Sequence, residues 1–383
     1  MRKAEGRRGQ PSAFFGGMMK PIGLYIHVPF CDGKCPYCDF YSLRGDSGLM
    51  DKYTKSIIKY IKYYSERLNR PADTLYFGGG TPGLLGAERL LRMVSAAKEG
   101  FLLENAEITV EVNPAREQGE LFQRLFQGGV NRLSIGLQSA DEEELRLLGR
   151  RHTALQAAEA VNAAGKAGFR NISLDLMLAI QRQTKESLRR SIQFCGEAGA
   201  RHVSAYLLKV EEGTPYSRQN LALPGEDETA ERYLFACEEL ERLGFMQYEI
   251  SNFAQPGFES RHNLKYWHDE EYLGLGPAAH SFLEGRRFYF PRDLEGFLRG
   301  KPPESDGGGG DLEEYAMMNL RLREGLTETG CRSRFGTGIP AQYRARAARF
   351  TEADLLICDD GGIRFTRKGF LVSNSLMGEI LFG

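Results

Sequence analysis

Cys31, Cys35 and Cys38 fall within the eight residues "CDGKCPYC". Three thiols on one tight loop can point at a common centre, and soft thiolates select zinc, copper(I) or an iron–sulfur cluster. A structural zinc would need a fourth ligand, for which His27 is the one nearby candidate. His27 lies in step with Tyr25 on a predicted strand, so its side chain is expected to point inward, away from the cysteine loop. A four-iron cubane takes three protein thiolates and leaves one iron for another ligand. The spacing favours the cubane. The other cysteines, Cys195, Cys237, Cys331 and Cys358, stand apart and read as ordinary packed thiols of a reducing compartment.

Further polar and glycine residues recur at the ends of apolar runs. "FGGGTP" supplies Gly79, Gly80 and Thr81, where missing Cβ atoms let backbone approach a ligand closely. Glu111 in "EVNP", Gln138 in "LSIGLQS", Arg150 in "LLGRRHT" and Asp175 in "SLDLM" follow. Any one of these alone would be read as a solvated polar residue. A second cluster, "HNLKYWHDEEYLGLGPAAHSF" (262–282), holds His262, His268 and His280 and the single tryptophan, Trp267. If helical, it sets His262 and Tyr266 one turn apart on one face.

The elements that must carry these residues alternate. Strand-like runs occur at 23–30, 74–77, 107–112, 132–137, 171–178 and 202–208. Between them stretches such as "YTKSIIKYIKYYSERL" and "AERLLRMVSAAKEG" repeat apolar residues at helical spacing. Six strand–helix units predict a parallel α/β sheet curled by right-handed crossovers into part of a barrel, with chemistry at the strands' C-terminal ends. "SDGGGGD" (305–311) reads as a flexible linker. Beyond it "LEEYAMMNLRLREGL" is expected to be helical, and "GGIRFTRKGFLVSN" to form a turn, a short strand and a helix. The expected division is a disordered tail (1–20), the barrel with its histidine-rich segment (21–290), a linker (291–311) and a C-terminal domain (312–383).

Fifty basic against fifty-one acidic residues give no support to a polyanion binder, so no nucleic-acid partner is expected. The arginines of the C-terminal domain (Arg321, Arg323, Arg332, Arg334, Arg344, Arg346 and Arg349) make it locally basic, and are expected to pack as a lid over the open barrel. No apolar run is long enough to span a membrane, and the basic N-terminus lacks a signal peptide's apolar core. A cytoplasmic protein is expected.

The cysteine spacing resembles that of the radical S-adenosylmethionine superfamily, and the resemblance extends from about residue 22 to 375. It is closest to the oxygen-independent coproporphyrinogen III oxidase family and, within that, to the HemW-type heme chaperones. The resemblance implies a [4Fe-4S] cluster on Cys31, Cys35 and Cys38 whose fourth iron is chelated by S-adenosylmethionine. It implies contacts to that cofactor from Tyr25, Tyr37, Gly79, Gly80, Thr81, Glu111, Gln138, Arg150, Asp175 and Lys209. An electron from the cluster would then split the sulfonium, the protein's part being to bind, orient and exclude water and oxygen.

Two departures separate this chain from the oxidising branch. Phe40 stands where those enzymes carry a fourth cysteine, and the H-N-x-x-Y-W stretch resembles the HemW-type signature. The resemblance therefore implies a heme chaperone that passes heme to an acceptor protein, which can include a membrane-associated one, and an electron donor for the cluster. The alternative is coproporphyrinogen III dehydrogenation or modification of another tetrapyrrole. His262, Asn263, Tyr266 and Trp267 are the heme contacts expected from the signature. After Asp175 the relatives read close to "LMYGIPGQT" where this chain has "LMLAIQRQT", so that loop is expected to lose its fixed turn.

Overall fold

A computed structural model describes residues 20–114 and 118–383. Residues 1–19 of the expected tail lie outside the described residues. Six strands, β1 (Ile22–Val28), β2 (Ala72–Gly79), β3 (Glu107–Val112), β4 (Arg132–Gln138), β5 (Asn171–Leu178) and β6 (His202–Leu207), run parallel in sequential order. They are the six runs expected, and helices such as Ser47–Leu68, Gly86–Phe101 and Ala154–Ala167 connect them. The helices form for local reasons. Asp46 caps the first through the Leu49 amide, and Thr153 and Gln156 close a reciprocal capping box on the third. Their apolar faces pack on strands buried on both sides, which is why those strands read as near-continuous hydrophobic runs.

The sheet continues past both edges of this parallel set. Beyond β6 lie β8 (Asn252–Ala254) and then β7 (Met246–Gln247), both antiparallel to their neighbours. On the other side β9 (Tyr272–Leu275) pairs parallel to β1, followed by antiparallel β10 (His280–Leu283), β11 (Arg286–Tyr289) and β12 (Glu304–Gly308). The periodicity did not forecast β9–β12, because each is at most five residues long and glycines interrupt two of them, β9 and β12. β12 falls within the stretch expected to be a linker. Helix Leu294–Arg299 precedes it, so residues 291–311 contribute ordered elements that extend the sheet.

The C-terminal part has helices around a small antiparallel sheet, β13 (Leu326–Thr327), β15 (Gly362–Phe365) and β14 (Leu356–Asp359) in spatial order. The helix expected over 312–326 stops at Asn319, and the chain leaves for β13 instead. Its arginines are held within the chain. Arg332 and Arg344 pair with Glu328, Arg334 pairs with Asp269, and Arg321 lies 5.3 Å over the Trp267 ring.

Candidate functional site

The strands' C-terminal ends surround a cavity of about 620 Å3. Cys31, Cys35 and Cys38 line it from the loop after β1. Tyr37, Gly79, Gly80, Thr81, Glu111, Gln138, Arg150, Asp175 and Lys209 line it as well, contributed by six successive strands and their loops. Of the residues expected to meet the cluster or S-adenosylmethionine, Tyr25 alone does not line this cavity, although it packs on Tyr76 beside Glu111. Its ring faces a second cavity, because the sheet continues from β1 to β9 and the inner face of β1 looks across that extension.

Local backbone explains the glycines. A Cβ at Gly80 would lie 2.4 Å from the Phe30 carbonyl oxygen, and one at Gly79 would meet the His27 ring at 2.6 Å. The Gly80 and Thr81 amides donate to the Val28 and Phe30 carbonyls at 2.8 and 2.7 Å. These amides are therefore committed to tying β2 against the cysteine loop, and the glycines serve close backbone approach within the protein as well as toward the cavity. Gly136 is a further cradle, since a Cβ there would meet Arg150, Asn113 and Gln138, each at 3.0 Å.

Carboxylates in the cavity are poorly compensated. Glu111 accepts from the Tyr76 hydroxyl at 2.8 Å and the Gly79 amide at 3.2 Å, yet burial pushes its pKa up to about 7. Asp175 accepts from Ser134 at 3.1 Å and is likewise raised by burial. A ligand bringing positive charge would relieve both. Arg150 spans the site, donating to Asn113 Oδ1 at 2.6 Å and to the Gly136 carbonyl at 2.8 Å, with Cys35 Sγ 3.6 Å away. Asn113 in turn donates to Thr81 at 3.0 Å. Asn113 was not singled out from sequence, although it stands two residues past Glu111 on the same strand end. Arg292, also on the cavity wall, comes from far along the chain and left no local signal.

The donor set fits a cluster better than a single ion. Cys31, Cys35 and Cys38 on one loop supply the three thiolates that a four-iron cubane takes from protein, with the cavity open for a further ligand. His27 offers the loop nothing. Its Nε2 meets the Tyr41 carbonyl at 2.9 Å and its Nδ1 the Tyr25 hydroxyl at 3.1 Å, and it lines the second cavity.

The histidine-rich segment begins with the expected helix, Arg261–Trp267, capped by Ser260. That helix closes the opposite, N-terminal end of the strands. His262 is buried, its Nδ1 2.8 Å from Thr74 Oγ1 and its Nε2 2.8 Å from the Tyr266 hydroxyl. Its amide donates to Glu107, and burial drives its pKa down to about 3. A histidine so engaged has no free nitrogen for iron. His262 and Asn263 border neither cavity, while Tyr266 and Trp267 border the second.

The loop after β5 departs from expectation too. Ala179 and Arg182, where the resemblance implied glycine, both adopt left-handed backbone, with φ of 57° and 59°. Gln183 preserves the turn by accepting from the Ala179 amide at 2.8 Å and donating to the Met177 carbonyl at 3.0 Å. The fixed geometry survives loss of the glycines and proline.

A cysteine loop at the mouth of a partial α/β barrel, ringed by glycine backbone and cavity-facing carboxylates, defines a radical S-adenosylmethionine protein. Residues 25–195 match the Radical SAM superfamily and residues 311–372 match the HemN C-terminal domain. The fold is that of the coproporphyrinogen III oxidase HemN from Escherichia coli, with a TM-score of 0.81 at 21% identity, covering 94% of this chain and 90% of that one. The chain is 34% identical to the heme chaperone HemW of Lactococcus lactis, over 95% of this chain and 98% of that protein. It is 32% identical to the heme chaperone HemW of Escherichia coli K12, over 94% and 98% respectively. The chain belongs to the HemW family of radical S-adenosylmethionine proteins. Among the described residues no helix is long and apolar enough to cross a membrane.

Proposed function

We propose that this chain is a cytoplasmic heme chaperone that binds heme and delivers it to an acceptor protein. In this reading Cys31, Cys35 and Cys38 hold the [4Fe-4S] cluster, and the mouth cavity takes S-adenosylmethionine. The observation that carries the reading is 34% identity to a heme chaperone over 95% of the chain, combined with Phe40 where the resemblance implies a fourth cysteine in the oxidising enzymes. When bound, the cluster supplies low-potential electrons to the sulfonium. The chain's own residues hold and orient. Glu111 and Asp175 would offer carboxylates to the cofactor, Arg150 lies beside the Cys35 thiol, and Gly79 and Gly80 would leave room for the cofactor's amino-acid end.

An anaerobic hemin titration of cluster-reconstituted protein tests the carrier function. Saturable, equimolar binding followed by release to an apo-hemoprotein is expected, and weak binding that never saturates overturns the reading. A second reading is favoured by the completeness of the mouth cavity, which a pure carrier would not need. It is radical chemistry on a tetrapyrrole. Formation of 5′-deoxyadenosine dependent on added coproporphyrinogen would favour it, and its absence alongside hemin transfer would dismiss it.

A further inference from the structure

The chain has six histidines, and their surroundings sort them as ligands for heme iron. His27, His202 and His262 each have both ring nitrogens hydrogen-bonded inside the protein. His152 is buried against the Leu137 carbonyl, and His268 faces Glu324 at 3.5 Å without lining either cavity described above. His280 differs. Its side chain is 59% exposed, it lines the second cavity, and its Nε2 has no hydrogen-bond partner among the described residues.

That cavity, about 600 Å3, lies on the inner face of the sheet extension, within the size range of small-molecule sites. It shares Phe40 and Arg292 with the cysteine-lined cavity, so the two adjoin at the cluster loop. Trp267, Phe290 and Tyr289 supply aromatic wall, and the His280 ring stacks on Tyr289 at 5.2 Å with planes 24° apart. The close turn that presents His280 is built in. A Cβ at Gly274 would lie 2.0 Å from the His280 carbonyl oxygen.

We propose that heme docks in this second cavity with His280 as axial ligand to its iron and its carboxylates toward Arg292. The assignment rests on the carrier reading and gives it a place. Nδ1 of His280 lies 3.9 Å from Asp306, beyond hydrogen-bond distance but on the side away from Nε2, which is left for metal. Burial lowers its pKa, which keeps the ring neutral as ligation requires. Arg292 is paired with Asp39 at 2.9 Å, but this is an exposed pair, weak enough to exchange for a heme carboxylate. Arg287, though on the same wall, is committed to Asp269 and Glu314. Flat aromatic surface, one open imidazole and one exchangeable guanidinium match the face, iron and edge of a porphyrin.

Anaerobic hemin titrations of the cluster-reconstituted full chain decide the matter, comparing the native protein with His280→Ala, Arg292→Glu and His262→Gln. Expected are at least a tenfold loss of affinity and a shifted Soret band in His280→Ala, with the native spectrum restored by added imidazole. Arg292→Glu should weaken binding without moving the band, and His262→Gln should bind hemin with the native spectrum. Native affinity and spectrum in His280→Ala, with the native chain saturating, overturn the site and leave the carrier reading standing. A native chain that never saturates overturns both. Should His280→Ala misfold by circular dichroism, unaltered affinity in Arg292→Glu overturns the site by itself.

Discussion

The two ends of the parallel strands carry similar residue types and do opposite things with them. At the N-terminal floor, Thr74, Glu107, Ser173 and His202 meet partners inside the protein. Thr74 and Glu107 bind His262, and His202 is held between Ser173 at 2.7 Å and Tyr248 at 2.8 Å. At the mouth, Glu111, Gln138 and Asp175 face a cavity, and Glu111 and Asp175 are held above their ordinary pKa by burial. Gln138 also carries left-handed backbone, with φ of 69°. A buried polar group with its bonds complete specifies structure, and one left under-compensated beside a cavity marks where a ligand completes it. Within the H-N-x-x-Y-W helix, His262 has both ring nitrogens bonded inside the protein, while Tyr266 and Trp267 lend aromatic rings to the second cavity.

The largest effect expected is at the mouth. Cys35→Ala should abolish the brown colour and the bound iron and sulfide of anaerobically reconstituted protein, while the apo chain melts within a few degrees of the native one. A large fall in apo stability would mean that the loop is as structural as the floor. At the floor the order reverses. His262→Ala strands Thr74 and Tyr266 and opens a void, so urea unfolding should show about 3 kcal/mol lost, with cluster content per folded chain unchanged. Loss of the cluster without loss of stability would erase the distinction.

Glu111→Gln separates the ends in a further way. Its native pKa is raised from 4.5 to about 7, so the stability linked to its bound proton is fully present below pH 4.5 and is lost as pH rises through about 7. The variant should therefore melt higher than the native apo protein at pH 8 and equally at pH 4.5, yet bind S-adenosylmethionine about 10- to 100-fold more weakly, the cost of one charge-assisted contact. Equal melting at both pH values would show that this carboxyl is already compensated. His262 works with the opposite sign. Its pKa is lowered from 6.5 to about 3, so its stabilisation is complete above pH 6.5 and declines as pH falls toward about 3. The acid limb of native unfolding should flatten in His262→Gln.

The smallest effect concerns the loop after β5. Ala179→Gly and Arg182→Gly should each stabilise by about 0.5–1 kcal/mol in chemical denaturation, since left-handed backbone strains a residue with a Cβ. Arg182→Gly also gives up the exposed ion pair to Glu143, which is worth little. Destabilisation by both would show that Gln183 holds the turn so firmly that the residues' own preference no longer matters.

Much of the mouth was legible in advance because its signals are local. β-branched runs separated by amphipathic stretches announce the six strands, and three thiols on one loop announce a cluster whatever lies around them. Placing Glu111, Gln138 and Asp175 at the ends of successive parallel strands suffices to bring them together. The same logic does not reach the partners of Tyr25 and His262. Strand parity correctly turned Tyr25 and His27 inward, but which cavity they meet depends on β9 pairing with β1, a contact between residues about 250 positions apart in sequence. Helical spacing correctly joined His262 to Tyr266, but Thr74 and Glu107 come from other strands, and they are what occupy His262.

By itself, then, the sequence determined the α/β class, the parallel core and the ligand loop, because each follows from periodicity or from neighbours a few residues away. Only the tertiary structure decided which polar residues have partners left to find. Hydrogen-bond saturation and exposure arise where distant segments meet, as with Arg292 paired to Asp39 or His262 bonded to Thr74. His262 and His280 are the same residue type, eighteen positions apart in one motif-rich stretch. Burial between strands closed one of them to ligands, and a place at the start of an inner strand of the sheet extension left the other exposed.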